Sequence, residues 1–577
     1  MTHHRNPADK IASLVRPHPG TPSSSQGRCA KTPIPPSMQA GGGSNGTIGR
    51  QYAAWPYPQV SLLANVDSTH PWQLHCDAIW DRCGSGKAPS RPRIWIAGCG
   101  TFQPYVFSVA NPRAEIVATD LSEPSLKIAK KRCQIHRARN VAFQRCDLED
   151  ESTWPDGEFD LIECYGVLMN LRDPQRALAA LRNRLSPRGV LRLMVYPQFS
   201  RTRVFQLQRV AKLCGFHAGD RTHPSRFRAL VKALPKSHPL RFALTSYADS
   251  KNDAGIVDAY LHAGDRGFTG WQLGALLQQA GLVPAHWMHR PWAQPDVAAE
   301  RLSMQARSQS FVLGYLDLWQ ELRQNFVVCC TREDMASGVT APLRPHPTFT
   351  GKPASLRHAM RLLRLRLLGG RVPTRTGDGD VVLRARDARA LASGDAATRE
   401  DFARLRAEGL VLGGDAEPCP LRDHVEIAGE SDWLRSTSAL RIGRRAPNPL
   451  YAHLFAAFEA NRAWPQLGLP SLDEQLRAWL PWATPLEHGR IRFGLTPYAT
   501  AQRCQAALKD HLDREPLPIA ANWSEVRLRE DQARLAESRA FAAANGVDGA
   551  LVDDRDAREL WCLLFAQDDP FLTLLPA

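Results

Sequence analysis

From Arg93 onward, short apolar runs alternate with amphipathic stretches. Ile94-Trp95-Ile96-Ala97 runs into Gly98-Cys99-Gly100, and Pro104 to Ala110 reads as the start of a helix. Glu115 to Asp120 is a second buried run, followed by an amphipathic helix over Ser125 to Arg137. Val141-Ala142-Phe143 predicts a third strand with Asp147 beyond it, and Phe159 to Cys164 a fourth. Gln175 to Leu185 has helical spacing, and Gly189 to Tyr196 predicts a fifth strand. Apolar runs on both faces, joined by connections long enough for a helix, predict an α/β fold with a doubly wound, mostly parallel sheet.

The flanking regions have a different texture. Residues 1–49 are rich in Pro, Ser, Gly and Thr, end in Gly41-Gly42-Gly43-Ser44-Asn45-Gly46, and read as a disordered tail. Order is expected from about Gln51. Tyr52-Ala53-Ala54-Trp55-Pro56-Tyr57-Pro58 is too proline-rich for a regular helix. It is expected either to lie over a site or to clasp the helix that follows. Residues 200–275 read as a largely helical insertion with breaks at Pro224, Pro235 and Pro239, and Trp271 to Ala280 as a clear helix. Gly281 to Trp287 and Asn325 to Thr331 are further strand candidates. Four prolines and two glycines within 337–353 mark a boundary, so the expected division is 1–49, 50–333, a linker at 334–355, and an α-rich region at 356–577. In that last region Leu356 to Leu368 is a helix bearing arginines at 357, 361, 364 and 366, read as packed with a solvated basic edge. Thr398 to Gly413 gives a helix and turn, and the segment from Leu421 is mainly helical in pattern. No repeat of solenoid period is evident.

Composition narrows the class. With 577 residues, 43% of them hydrophobic and 23% charged, the chain is globular and long enough for several domains. No apolar window reaches the length of a transmembrane helix, and Met1 to Arg16 lacks the apolar region of a secretory signal, so a cytoplasmic, membrane-free protein is expected. The 13 cysteines form no CxxC pair, which argues against a zinc ribbon or a disulfide framework. The net charge is +15, yet 61 of the 73 basic residues are arginines, dispersed along the chain. That pattern accords with GC-rich coding bias at least as well as with a nucleic-acid surface, which requires clustering.

The first strand–turn–helix carries the chemistry. A Gly-x-Gly turn lets a ligand approach the backbone. The amides of the turn and of the next helix favour polar or anionic groups. Asp120, at the end of the second strand, can accept both hydroxyls of a ribose, and Asp147, after the third, an exocyclic amine. Both could instead serve locally, Asp120 as a helix cap and Asp147 in a turn. Gln103 occupies the third glycine position of a dinucleotide fingerprint, which argues for a nucleoside ligand without a pyrophosphate.

Ile94-Trp95-Ile96-Ala97-Gly98-Cys99-Gly100-Thr101, Ala118-Thr119-Asp120-Leu121-Ser122, Arg145-Cys146-Asp147-Leu148-Glu149 and Phe159 to Pro174 resemble, in order and spacing, motifs I to IV of the class I S-adenosylmethionine-dependent methyltransferases. Tyr52 to Pro58 resembles an aromatic-proline segment of one bacterial subgroup. The resemblance covers roughly residues 50–333. It implies a seven-stranded sheet with its last strand antiparallel, Gly281–Trp287 and Asn325–Thr331 being strands six and seven. It implies S-adenosylmethionine as cofactor, with Gly98, Cys99 and Gly100 near its methionine part, Asp120 on the ribose, and Leu121, Asp147 and Leu148 at the adenine. Glu163, Cys164 and Tyr165 would lie near the sulfonium, Glu163 and Tyr165 as catalytic candidates. Ile96 replaces the family's usual acidic residue, and Phe102 a small glycine. Tyr165, Asn170 and Tyr196 are expected near the substrate mouth. Glu163, His217 and His223 are candidate bases. No Asn/Asp-Pro-Pro-aromatic motif follows the fourth strand, which disfavours amino-methylation of nucleic-acid bases or of glutamine. The resulting expectation is a methyltransferase acting on a protein or small molecule, with 356–577 selecting or regulating the acceptor. A nucleic-acid methyltransferase and a non-catalytic S-adenosylmethionine-binding scaffold are the alternatives.

Overall fold

The computed structural model describes residues 45–66, 71–288 and 309–414 with short breaks, the segments 483–486, 490–493 and 523–547, and parts of 556–564. Strands β1 (Arg93–Ala97), β2 (Glu115–Asp120), β3 (Val141–Arg145), β4 (Phe159–Tyr165), β5 (Leu185–Val195), β6 (Leu282–Trp287) and β7 (Phe326–Arg332) form one seven-stranded sheet in the order β3-β2-β1-β4-β5-β7-β6. The first five run parallel, and β7 pairs antiparallel with both β5 and β6. This is the expected seven-stranded, mostly parallel architecture with its last strand reversed. The order turns back between β1 and β4, which opens a crevice at their carboxyl ends.

The helices follow the apolar stripes. In chain order they are α1 (Asn45–Ala54), α2 (Cys76–Arg82), α3 (Gln103–Ala110), α4 (Glu123–Ile135), α5 (Pro174–Asn183), α6 (Thr202–Leu213), α7 (His223–Ala233), α8 (Pro239–Ser246), α9 (Asp253–Tyr260), α10 (Gly270–Gln279) and α11 (Gln309–Leu318). One sheet face, with Trp95, Ala97, Ile162, Cys164 and Leu193, packs against α5, α10 and α11 through Leu178, Leu181, Leu277 and Leu313. The other, with Ile94, Ile96, Ile116 and Leu161, packs against Ile79 and Trp80 of α2, Phe107 of α3 and Leu126 of α4. Each such side chain contributes about 1.5–3 kcal/mol on burial. Pro284 is tolerated because β6 is an edge strand.

Helices α6 to α9 fill the expected insertion and hold a separate core around Leu207, Phe227, Leu230, Leu244 and Val257. Order begins earlier than expected, since α1 includes Asn45 to Gly49 and ends at Ala54, ahead of Pro56. The rest of the expected tail, 1–44, lies outside the described residues.

The expected linker also differs. Within it β8 (Ala341–Pro345) pairs antiparallel with a distant strand, Val411–Gly414, and α12 (Pro347–Thr350) follows. The partner is remote in sequence, so no local pattern announces it. Next come α13 (Leu356–Leu368), the hairpin of β9 (Gly370–Pro373) and β10 (Asp380–Leu383), α14 (Ala385–Ser393), α15 (Phe402–Ala407) and β11 (Val411–Gly414). They share a small core of Phe349, Leu362, Leu365, Val372, Leu383 and Leu391. Arg344 joins this unit to α2, donating to both oxygens of Asp77 at 2.7 and 3.0 Å. Strands β12 (Ala483–Leu486) and β13 (Arg490–Phe493) form a further hairpin. Helix α16 (Trp523–Ala544) and nearby residues place Leu535, Ala542, Leu560 and Leu564 in the core of the insertion. Among the described residues, the 341–414 unit thus attaches to α2 and residues 535–564 attach to the insertion. The remainder of the segment from Leu421 lies outside the described residues.

Candidate active site

The turn after β1 requires glycine twice. Gly98 has φ +76° and Gly100 φ +55°. A Cβ on Gly100 would lie 2.7 Å from the Tyr57 carbonyl oxygen. The turn is held to β2 because Gly98 and Cys99 donate their N–H groups to the Thr119 carbonyl at 2.9 and 2.8 Å.

Asp120 links the turn to α4. Its Oδ2 accepts from Gly100 N–H and its Oδ1 from Ser122 N–H, each at 2.8 Å. Burial raises its pKa, and the N–H groups of Ser122, Gly100 and Leu121 hold that rise back. The cap of α4 is Ser122, whose Oγ accepts from Ser125 N–H at 3.3 Å, so Asp120 is not spent on capping. Asp147 stands beside it, because Cys146 N–H donates to the Asp120 carbonyl at 3.1 Å. Asp147 Oδ1 accepts from Glu149 N–H at 2.9 Å, which is the local turn role weighed from sequence. Leu148 is buried.

An N-terminal strap crosses this corner. Gly49 on α1 rests against Leu121, with an ideal Cβ falling 3.4 Å from Leu121 Cδ2, and Ser122 Oγ donates to the Tyr52 carbonyl at 3.0 Å. Thr101 N–H donates to the Tyr57 carbonyl at 3.1 Å. Arg132 then gathers the carbonyls of Thr101, Ser61 and Val60 at 3.1, 2.6 and 2.7 Å. Phe102 is taken up in the same place, its ring 4.8 Å from the Arg132 guanidinium carbon and edge-on to Tyr105. The other end of the strap grips the insertion. Tyr52 donates to Asp258 Oδ1 at 2.8 Å and lies 3.2 Å from His262 Nε2. Because Gly264 N–H donates to His262 Nδ1 at 3.1 Å, neutral His262 carries its proton on Nε2 and donates to Tyr52. Trp55 donates to the Ala218 carbonyl at 2.8 Å. The Tyr52–Pro58 segment therefore both covers the glycine turn and clasps a neighbouring element.

The carboxyl end of β4 carries a buried ion pair. Glu163 is fully buried and forms an ion pair with Arg192 of β5. The register places Glu163 opposite Ile96 on one side and Arg192 on the other. The acid missing from Ile96 thus has a counterpart one strand away. Burial raises the Glu163 pKa, and Arg192 pulls it back. One oxygen of Glu163 is thus held by Arg192, while its Oε2 has no hydrogen-bond partner among the described residues. The Arg192 guanidinium also lies 4.8 Å from the Tyr165 ring centroid. Burial raises the Tyr165 pKa as well, with Arg192 opposing. Arg192 escaped the sequence reading. Its signal was a cation inside the apolar run Gly189–Tyr196, which demands a partner on an adjacent strand.

The remaining candidates divide. Cys164 is buried, and desolvation pushes its thiol up to about 12. Cys99 is buried too, which likewise raises its pKa. His217 and His223 sit in the insertion and bind each other, His217 N–H donating to His223 Nδ1 at 3.1 Å, so they do not join the turn. Tyr196 stacks on Arg201, at 3.5 Å from guanidinium carbon to ring centroid. Gln103 Oε1 and Asn170 Oδ1 are buried acceptors that lack a donor. Both flank the turn: Gln103 opens α3, and Asn170 follows Val167, whose side chain abuts Gly98. Among the described residues, no cluster could hold a metal ion.

Residues 96–191 match a family model described as a methyltransferase domain. An uncharacterised protein of a Synechococcus species is 33% identical over 285 residues, covering 47% of this chain and 66% of that one. The demethylmenaquinone methyltransferase of Thermus thermophilus is 31% identical over 111 residues, covering 19% of this chain and 49% of its own length. The chain thus spans about two thirds of the first relative and about half of the second. Among solved structures, PKMT2 from Rickettsia typhi in complex with AdoHcy superposes with a TM-score of 0.39 at 14% identity, covering 79% of this chain and 98% of that one.

Proposed function

We propose that this chain, which matches a methyltransferase domain over residues 96–191, is a class I S-adenosylmethionine-dependent methyltransferase that methylates a protein or small-molecule acceptor, with residues 356–577 helping to select or regulate it. The observation that carries this reading is the Asp120 carboxylate, held between the Gly100 and Ser122 amides at the switch point of the sheet. Its two oxygens accept backbone N–H groups and keep lone-pair capacity towards a ribose hydroxyl.

The residues fit the cofactor. Asp120 would accept from the ribose hydroxyls, Leu121 and Leu148 would pack on the adenine, and Asp147 would accept from its amine. Gly98 and Gly100 admit the methionine end, with Cys99 and Cys164 as small apolar walls. The orphaned acceptors on Gln103 and Asn170 suit an ammonium group, which brings only donors. When bound, the cofactor supplies a methyl group on a positively charged sulfur. The protein's part is alignment. Holding an acceptor in line with that bond replaces a bimolecular encounter by a positioned one. The strap from Tyr52 to Ser61 excludes water from the turn. Tyr165, its ring face set against Arg192, lines the methyl end. No residue is assigned as general base. Among the described residues nine buried cysteines lie outside any disulfide, which supports a reducing compartment such as the cytoplasm.

The test is mass spectrometry of host lysate fractions incubated with the chain and trideuteromethyl-labelled cofactor. The expected result is a labelled acceptor with the natural chain and none with Asp120→Ala. Absence of any labelled acceptor with the natural chain overturns the reading. A labelled nucleic acid redirects it to the alternative acceptor class.

A further inference from the structure

Helix α13 is apolar on two faces, and among the described residues only one of them is covered. Leu362 and Leu365 turn into the small core with Phe349, Val372 and Leu391. Leu356, Met360, Leu363 and Leu367, at spacings of four, three and four, form a separate stripe and are 81%, 58%, 47% and 64% exposed. Val382 on the adjoining hairpin is 64% exposed as well, directly opposite Arg371 in the ladder. Arg357 and Arg364 border the stripe, both exposed, and Arg357 lies close enough to Tyr105 of α3 to act on it electrostatically. The helix contains no acidic residue, and residues 341–414 carry 14 basic against 7 acidic side chains.

We propose that this face docks on an anionic lipid surface. The charge pattern selects the occupant. A second copy of the chain, paired by two-fold symmetry, would bring the arginines of both helices together with no carboxylate between them. A nucleic-acid backbone would reward the arginines but leave four aliphatic side chains in water at the centre of the contact. A bilayer surface satisfies both features. The leucines and methionine enter the boundary of the acyl region, and the arginines stay at phosphate level on their aliphatic stems. Among the described residues no helix is long and apolar enough to cross a membrane, so α13 lies on the surface and does not span it. The helix is packed on one side and has the expected solvated basic edge; the proposal adds a use for its exposed apolar stripe and does not depend on the methyltransferase reading.

The test is co-sedimentation of the full chain with vesicles of phosphatidylcholine alone or mixed with phosphatidylglycerol. Binding is expected only to the mixed vesicles and should weaken as salt is raised. Leu363→Asp and Leu367→Asp should each reduce it roughly tenfold or more. Arg357→Ala and Arg364→Ala should each reduce it roughly fivefold. All four side chains are exposed, so thermal unfolding should be unchanged. Failure to bind either vesicle, or undiminished binding by the Leu363→Asp, Leu367→Asp double variant, overturns the proposal. So does a dimer in solution that this double variant abolishes.

Discussion

Replacing Glu163 by Gln keeps the shape of the side chain and removes its charge, leaving Arg192 as an unpaired cation within the sheet. The two side chains are 0% and 9% exposed, so water cannot take over the lost partner. Two unit charges about 4 Å apart, at an effective dielectric near 20, attract by about 4 kcal/mol. Breaking a buried pair from one side typically costs about 3–5 kcal/mol. Glu163→Gln should therefore destabilise the sheet domain by about 3 kcal/mol. The double variant Glu163→Leu, Arg192→Met removes both charges and should return to within about 1 kcal/mol of the natural chain. Urea unfolding gives the free energies, and hydrogen exchange of the peptide spanning Phe159 to Tyr165 locates the loss. A cost below about 1 kcal/mol for the single variant, or a double variant as damaged as the two single ones combined, refutes the reasoning.

Two further outcomes follow from the strap. Burial raises the Asp258 pKa from the ordinary 3.8 to about 6, with His262 and Tyr52 opposing. A raised folded-state value means that the stabilising contribution of the proton is complete below the unfolded pKa and is lost as pH rises through about 6. Asp258→Asn, which keeps an oxygen for Tyr52, should thus gain on the natural chain from acid towards alkaline pH, by at most about 3 kcal/mol. Urea titrations showing a constant difference across that range contradict this. Gly100→Ala places a Cβ against the Tyr57 carbonyl at a φ of +55°. It should cost about 2 kcal/mol in backbone strain and displace the strap, which limited proteolysis at Tyr52 to Ser61 would reveal.

The sheet was legible because its evidence is local. An apolar run entering Gly98-Cys99-Gly100 needs a turn at positive φ, and Asp120 closes the next run at the same edge. What stayed hidden depends on register or on remote partners. Glu163 read as a catalytic candidate, and only strand pairing set it beside Arg192. Phe102 stands where the resemblance implies a small glycine, and Arg132, thirty residues on, takes up its ring. The join between β8 and β11, and the contact of Leu535 and Leu560 with the insertion, link segments with no shared local pattern. In α13 the leucine spacing supports two apolar faces, and only the fold decides which one is covered.

The central claim is that an adenosyl group sits at Asp120. Isothermal calorimetry of the full chain with S-adenosylhomocysteine, repeated on Asp120→Ala and Asp120→Asn, tests it most directly. Two charge-assisted hydrogen bonds are worth about 3 kcal/mol or more together, so the natural chain should bind and Asp120→Ala should bind about a hundredfold more weakly, with Asp120→Asn between them. No binding by the natural chain at millimolar ligand, or equal affinity in all three proteins, would contradict it.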